Sequence, residues 1–158
     1  MGKFQIFNSL TALGIVLATQ KENDVACLVN ELRNLKGVAG RQECVTARNS
    51  PAPIIVDYAH TPDALKNALL SLRGHVYNRI ICAFGAGGER DKSKRKIMGQ
   101  VAKEHADLCV ITDDNPRSEN PKTIRDQILE GCSTSTFEAF DNIDMINHSF
   151  DEAESYYE

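Results

Sequence analysis

Three short polar segments carry the residue types from which a binding site could be built. The most unusual is Thr112-Asp113-Asp114-Asn115-Pro116-Arg117. Its two acids supply acceptors for an ammonium, and Arg117 offers a planar donor fork suited to a carboxylate. Pro116 stiffens the turn between them. That combination suits a zwitterionic amino acid better than a nucleotide, with a plain Asx turn ahead of a helix as the competing account. The second segment is Gly85-Ala86-Gly87-Gly88-Glu89-Arg90. Arg90 stands where the third glycine of a dinucleotide fingerprint would be, and the Lys-Ser or Lys-Thr ending of a phosphate loop is missing. What remains is a glycine turn whose amides can approach an anion, with Arg90 and Lys92 beside it, or simply a tight turn with a surface arginine. In the third, Asp57-Tyr58-Ala59-His60-Thr61-Pro62, Asp57 could accept hydrogen bonds from sugar hydroxyls. His60 could meet a phosphate or cap the turn.

Elements that would position these segments can be read from periodicity. Ser9 is placed to cap a helix through Leu10, Ala12, Leu13, Ile15, Val16 and Leu17, apolar almost all round and so expecting burial on more than one side. A second helix is expected over Asp24 to Leu35, and Gly37 to Gly40 break it. Beyond Arg41, strands and helices alternate. Ile54-Ile55-Val56 reads as a buried strand, followed by a helix from Thr61-Pro62-Asp63 carrying Leu65, Ala68, Leu69 and Leu72. Arg79 to Phe84 reads as a strand and the next helix runs through Ile97, Val101 and Ala102. Leu108 to Ile111 is a strand, Thr123 to Leu129 a helix, and Thr136 to Phe140 with Asp144 to Ala153 a further strand and helix. This rhythm predicts an α/β fold: a Rossmann-like, mostly parallel sheet flanked by helices. In such a sheet ligands gather at the carboxyl ends of strands, where all three polar segments lie, so one shared site is expected.

Composition sets the outer bounds. The 158 residues suit one domain, or one with a short appendage, and 42% hydrophobic with 25% charged residues is ordinary for a globular protein. A net charge of -4 argues against nucleic acid as a partner, and the basic run Lys92 to Lys96 reads more simply as a solvated helix face than a polyanion site. The five cysteines form no C-x-x-C pair and are odd in number, which supports neither zinc nor a disulfide framework. Cys82 and Cys109 lie in apolar runs and are expected as small buried hydrophobes. No stretch reaches the roughly 18 apolar residues of a bilayer span. Thr11 to Ala18 lacks a basic leader beyond Lys3 and a clear cleavage site, so no membrane partner and a cytoplasmic protein are expected.

Four motifs occur in order: Gly40-Arg41-x-Glu43, then Val56-Asp57-Tyr58-Ala59-His60-Thr61-Pro62-Asp63-Ala64-Leu65, then Phe84-Gly85-x-Gly87-Gly88-x-Arg90-Asp91-Lys92-x-Lys94-Arg95, then Thr112 to Arg117. Together they resemble the Mur ligases, specifically the tripeptide-forming members, from about Gly2 to Cys132. The Asp114-Asn115-Pro116-Arg117 motif resembles that of members selecting meso-diaminopimelate. The resemblance implies that residues 1–36 are the end of a central ATP-binding domain and residues 37–158 a carboxy-terminal domain. It implies nucleotide contacts from Asn8, Arg41, Asp57 and His60, although the family usually has asparagine where Gln5 stands. It implies that Arg90, Asp114, Asn115, Pro116 and Arg117 form the diaminopimelate site.

The family reaction uses ATP and Mg2+ to phosphorylate a carboxylate of a UDP-N-acetylmuramoyl dipeptide, and the amine of diaminopimelate then attacks the acyl phosphate. The family's phosphate loop, magnesium ligands, carbamylated lysine and late Gly-Lys-Gly-His-Glu segment are not among these residues. No catalytic residue and no activity of the chain alone are therefore expected, nor tight binding of ATP or Mg2+. Self-association through the first helix is expected, since an exposed apolar face invites it. Cyanophycin synthetases share a similar Asp-Tyr-Ala-His segment but are disfavoured by Asp114 to Arg117. A free-standing amino-acid-binding or interaction module is the alternative of a different class.

Overall fold

The structure, a computed structural model, describes residues 3–19, 25–46, 52–76, 78–132 and 136–138. The chain divides into two compact units, Met1–Tyr58 and Ala59–Glu158.

In the first unit, helix α1 spans Lys3–Thr19, so Ser9 lies inside it and is not its cap. The helix therefore starts earlier than the polar-to-apolar switch at Ser9 suggested. Within this chain Leu10 and Ile15 of the apolar run are exposed, and so are Ile6 and Phe7 ahead of it. Helix α2, Val25–Glu31, tightens into a 3-10 turn at Leu32–Asn34, and Leu35 is already extended. Strands β1 (Glu43–Cys44) and β2 (Ile55–Val56) then pair antiparallel, Glu43 opposite Val56 and Cys44 opposite Ile55. The expected buried parallel strand at Ile54 to Val56 is thus corrected. Its β-branched residues do take up strand geometry, but a two-stranded ribbon buries neither face, and Val56 stays exposed.

The second unit holds the α/β core. Helix α3 (Pro62–Arg73) begins as its sequence dictates: the Thr61 hydroxyl accepts the Ala64 amide at 3.3 Å, and Pro62 takes the first helical position. Leu65, Ala68 and Leu69 are its buried face. Strand β3 (Ile81–Phe84), helix α4 (Ser93–His105), strand β4 (Leu108–Ile111), helix α5 (Pro121–Leu129) and strand β5 (Thr136–Glu138) follow. The sheet order is β3-β4-β5 and both pairings are parallel. Strand β4, central among these three, is buried at every position, as a two-sided parallel strand must be. The core joins Leu65 and Leu69 of α3, Met98 and Ala102 of α4, Ile124 and Ile128 of α5, and Cys82, Cys109 and Ile111 of the sheet. Burial pushes the Cys82 thiol up to about 12, helped by nearby Cys132. Asp107, just before β4, accepts from the Ile80 amide at 2.7 Å and from Arg73 Nη2 at 2.8 Å, pinning the end of α3 to the base of the sheet.

Two details of the helix readings change. Ile97 is exposed, and the buried stripe of α4 is Arg95, Met98, Gly99 and Ala102. Helix α5 starts before Thr123, because Asn120 caps it through Lys122 N at 2.9 Å and Pro121 opens it. The helix expected over Asp144 to Ala153, and the end of the strand beyond Glu138, lie outside the described residues. No helix among the described residues is long and apolar enough to cross a membrane.

Candidate functional site

Parallel pairing of β3 with β4 brings Phe84 opposite Ile111, so the chain leaves both strands at the same end of the sheet. A last hydrogen bond from Thr112 N to Phe84 O, 3.1 Å, closes the ladder. Beyond it the second and third polar segments run side by side. The Gly88 amide donates to Asn115 O at 2.9 Å, and Arg117 Nη1 donates back to Gly88 O at 2.6 Å. The approach is close enough that a Cβ on Gly88 would lie 1.9 Å from the Pro116 carbonyl oxygen, so only glycine fits. Asn115 Oδ1 accepts the Arg117 amide at 3.1 Å. The Asx turn offered as a competing reading is therefore present, and it is the device that presents Arg117.

Both loops hold a non-glycine residue in the left-handed region, Glu89 at φ 52° and Arg117 at φ 51°. Each such residue costs on the order of 1 kcal/mol, so something must hold it. For Glu89 the holder is Glu119, whose Oε1 accepts the Glu89 amide at 2.5 Å, while Ser118 donates its hydroxyl to the Glu89 carboxylate. Glu119 is itself gripped by Arg95, with Nη1 to Oε2 at 2.9 Å and Nη2 to Oε1 at 3.0 Å. Arg95 is fully buried and also donates to Gln127 Oε1 at 2.7 Å and Gly87 O at 3.2 Å. These bonds, from Arg95 first and the Glu89 amide second, lower the Glu119 carboxyl to about 2.

The two acids of the third segment have different fates. Asp113 forms an ion pair with buried Arg125 of α5, so it braces the turn and is not an open acceptor. That corrects the reading of two equivalent acids. Asp114 is exposed and, like exposed Arg90, has no side-chain hydrogen bond or ion pair among the described residues. The two loops thus carry an uncommitted carboxylate, Asp114, and two exposed guanidinium groups, Arg90 and Arg117. Arg117 is tethered by one nitrogen only.

The other predicted residues are divided between the two units. His60 belongs to the second unit, and its carbonyl oxygen accepts Lys94 Nζ at 2.8 Å, linking the start of α3 to α4. In the first unit, Asp57 Oδ2 accepts the Gln42 amide at 3.0 Å and Glu43 Oε2 accepts the Gly40 amide at 2.8 Å. These bonds hold a turn in which Gly40 and Gln42 are left-handed, at φ 67° and 49°. Arg41, between them, lies over the Tyr58 ring with its guanidinium carbon 4.5 Å from the centroid. Asn8 is exposed on α1. Among the described residues no group of three or more His, Cys, Asp or Glu side chains is placed to hold a metal ion.

Glu119 and Arg125 go unnoticed in the sequence, and Arg95 reads there as part of a solvated basic run, which its full burial corrects. One signal could have found two of them. Arg95 falls on the helical stripe of Met98, Gly99 and Ala102, and Arg125 sits beside Ile124, so each arginine occupies a core position of its helix.

A family model described as Mur ligase, glutamate ligase domain, matches residues 40–155. This chain belongs to the Mur ligase family. Among curated relatives of this Mur ligase chain is the UDP-N-acetylmuramoyl-L-alanyl-D-glutamate--2,6-diaminopimelate ligase of Bradyrhizobium diazoefficiens, 51% identical over 128 residues. That match covers 81% of this chain and 26% of the relative. The protein of the same name from Agrobacterium fabrum is 43% identical over 148 residues, 94% of this chain and 30% of its own. A solved structure of a ligase with that name superposes with a TM-score of 0.66 at 36% identity, covering 94% of this chain and 30% of that one. Folylpolyglutamate synthase of Mycobacterium tuberculosis, complexed with ADP, superposes at 0.75 with 17% identity over 98% of this chain and 34% of its own, a likeness of fold. The Mur ligase chain thus spans between about a quarter and a third of the length of these relatives.

Proposed function

We propose that this chain belongs to an ATP-dependent ligase that joins meso-diaminopimelate to UDP-N-acetylmuramoyl-L-alanyl-D-glutamate in peptidoglycan synthesis, and that its own part is to hold the incoming amino acid. The observation that carries this reading is the pair of interlocked loops at the ends of β3 and β4. There Asp114 and Arg90 are uncommitted and Arg117 is half-tethered, in a chain 51% identical to a diaminopimelate ligase over 128 residues. Arg117 and Arg90 would take carboxylates, Asp114 an ammonium, and Asn115 with Pro116 would set the angle of the turn. Holding the amine in place lowers the barrier to its attack on an activated carboxyl mainly through positioning. Lysine, lacking one carboxylate, would leave an arginine without its partner, and specificity would follow from that loss.

Nucleotide contacts are proposed for Arg41 and Asp57 in the first unit and, on the family pattern, for Asn8 and His60. Arg41 stacked on Tyr58, beside an Asp57 already fixed by the Gln42 amide, suits an adenosine ribose and a neighbouring phosphate. Mg2+ acts with ATP in the whole reaction, and no residue of this chain is assigned to it. The family match beginning at residue 40 supports a domain boundary near Lys36, with residues 1–36 ending a central domain and 37–158 forming the carboxy-terminal one. A cytoplasmic location follows from the nucleotide-linked substrate.

The test is a titration of the chain with meso-diaminopimelate followed by protein NMR. Shifts confined to Arg90 and residues 113–118, weak or absent with lysine and lost in Arg117→Ala, are expected. Equal responses to both amino acids would overturn the assignment of specificity. No response at millimolar ligand would overturn the claim that these loops suffice to hold the amino acid.

A further inference from the structure

The two loops of the proposed amino-acid site are held by a group that neither faces the ligand nor lies in either loop's turn. Arg95, on α4, is wholly enclosed, and its two terminal nitrogens both donate to Glu119, Nη1 reaching Gln127 of α5 as well and Nη2 the Gly87 carbonyl. Glu119 closes the circuit from the far side, taking the amide of left-handed Glu89 on the same oxygen that receives Arg95 Nη2. Its other oxygen also meets Lys92 Nζ at 3.3 Å. One guanidinium and one carboxylate therefore tie together α4, α5, the glycine loop and the segment after Arg117.

We propose that Arg95 and Glu119 are positioning residues that clamp the glycine loop onto the Asn115-Pro116-Arg117 turn and so set the aim of Arg117; the effect on ligand rests on the amino-acid reading given above. The physical chain is short. Gly88 and Glu89 are adjacent, and Gly88 is the residue that exchanges hydrogen bonds with both Asn115 and Arg117. If Glu119 releases the Glu89 amide, Glu89 has no reason to keep its left-handed backbone, and the Gly88 carbonyl that tethers Arg117 turns away. A charged acceptor shared by an amide and a guanidinium has no neutral substitute. In Glu119→Gln an NH2 group must face either Arg95 Nη1 and Lys92, or Arg95 Nη2 and the Glu89 amide, donor against donor.

The test compares the wild-type chain with Glu119→Gln and with the double variant Arg95→Met/Glu119→Leu. The double variant fills the same space without stranding a buried charge, and so keeps the fold if the single variant does not. Arg73→Ala, which breaks the Arg73–Asp107 pair and touches neither loop, is the control for a stability effect alone. In both clamp variants the Gly88 and Glu89 amides are expected to exchange with solvent at least tenfold faster, with the β3, β4 and α3 amides unchanged. The Kd for meso-diaminopimelate is expected to rise at least tenfold, while Arg73→Ala shifts the Tm and leaves the Kd within twofold. Protected loop amides in either folded variant overturn the proposal, as does a loosened loop with an unchanged Kd. A wild-type Glu89 amide that exchanges as freely as an open loop overturns it without any variant. If the wild-type chain does not bind meso-diaminopimelate, the ligand reading fails alone, and the exchange rates still decide the clamp.

Discussion

At the scale of single residues, the candidate site shows why exposed ligand groups are easier to find in a sequence than what supports them. Asp114, Asn115 and Arg117 stand out because acids, an amide and an arginine crowd one turn. Arg95 and Glu119 do not, because a lone charge on a helix or in a loop has the same letter whether it is solvated or enclosed. Only the neighbours Met98, Gly99 and Ala102 on its stripe mark Arg95 as interior. Asp113 was legible as part of the motif but not as a brace, since its partner Arg125 lies on the next helix. The Arg95–Glu119 pair has a pH consequence with a definite sign. The Glu119 carboxyl sits at about 2 in the folded chain against an ordinary 4.5. A depressed carboxyl contributes stability that is complete above its unfolded value and is lost as the pH falls through the folded one. Denaturant midpoints of wild type and Glu119→Gln are therefore expected to differ most near neutral pH and to converge between pH 4.5 and 2. Midpoints running parallel down to pH 2 would show that the pair is not linked to folding.

At the scale of elements, helix α3 was readable because its start is spelled locally by Thr61-Pro62, a cap followed by a proline, whereas the same signal at Asn120-Pro121 was passed over and α5 was begun at Thr123. Strand β4 was readable to the residue because it is apolar throughout. The exception was β2, whose Ile55-Val56 carries the same β-branched signal as a core strand. Short apolar runs state a strand's conformation but not its partner, and pairing with β1 rather than within the parallel sheet is a tertiary outcome. The β3–β4 pair also makes a chemical prediction. Cys82 and Cys109 are opposite each other and buried, with the Cys82 thiol raised to about 12 and Cys109 raised by its hydrogen bond with Cys132 and by burial. Since the thiolate is the reactive form, both should resist alkylation near neutral pH, whereas exposed Cys27 and Cys44 react first. Mass spectrometry of peptides after brief labelling with iodoacetamide checks this order. Early modification of Cys82 would mean that the sheet opens.

At the scale of the whole molecule, an α/β domain was legible from alternation alone, but the division after Tyr58 was not, because the polar segment Asp57 to Pro62 is continuous in sequence and split between units. The first unit carries exposed Ile6, Phe7, Leu10 and Ile15 on one helix. Such a surface favours contact with another apolar face, and self-association is the expected form in solution. Sedimentation velocity over a hundredfold range of concentration should show the average mass rising, and Phe7→Lys should weaken the rise. A monomer at every concentration would refute it. In the second unit, the parallel register that joins Phe84 to Ile111 has a further consequence for how the molecule tolerates change. The two halves of the site are about thirty residues apart in the chain but are spaced by strand steps of roughly 3.3 Å. Lengthening an exposed part of the intervening crossover would leave both halves where they are. Adding a single residue within β3 would shift one half by a whole step and turn its side chains over, so this site can be altered only in discrete jumps, never by a gradual slide.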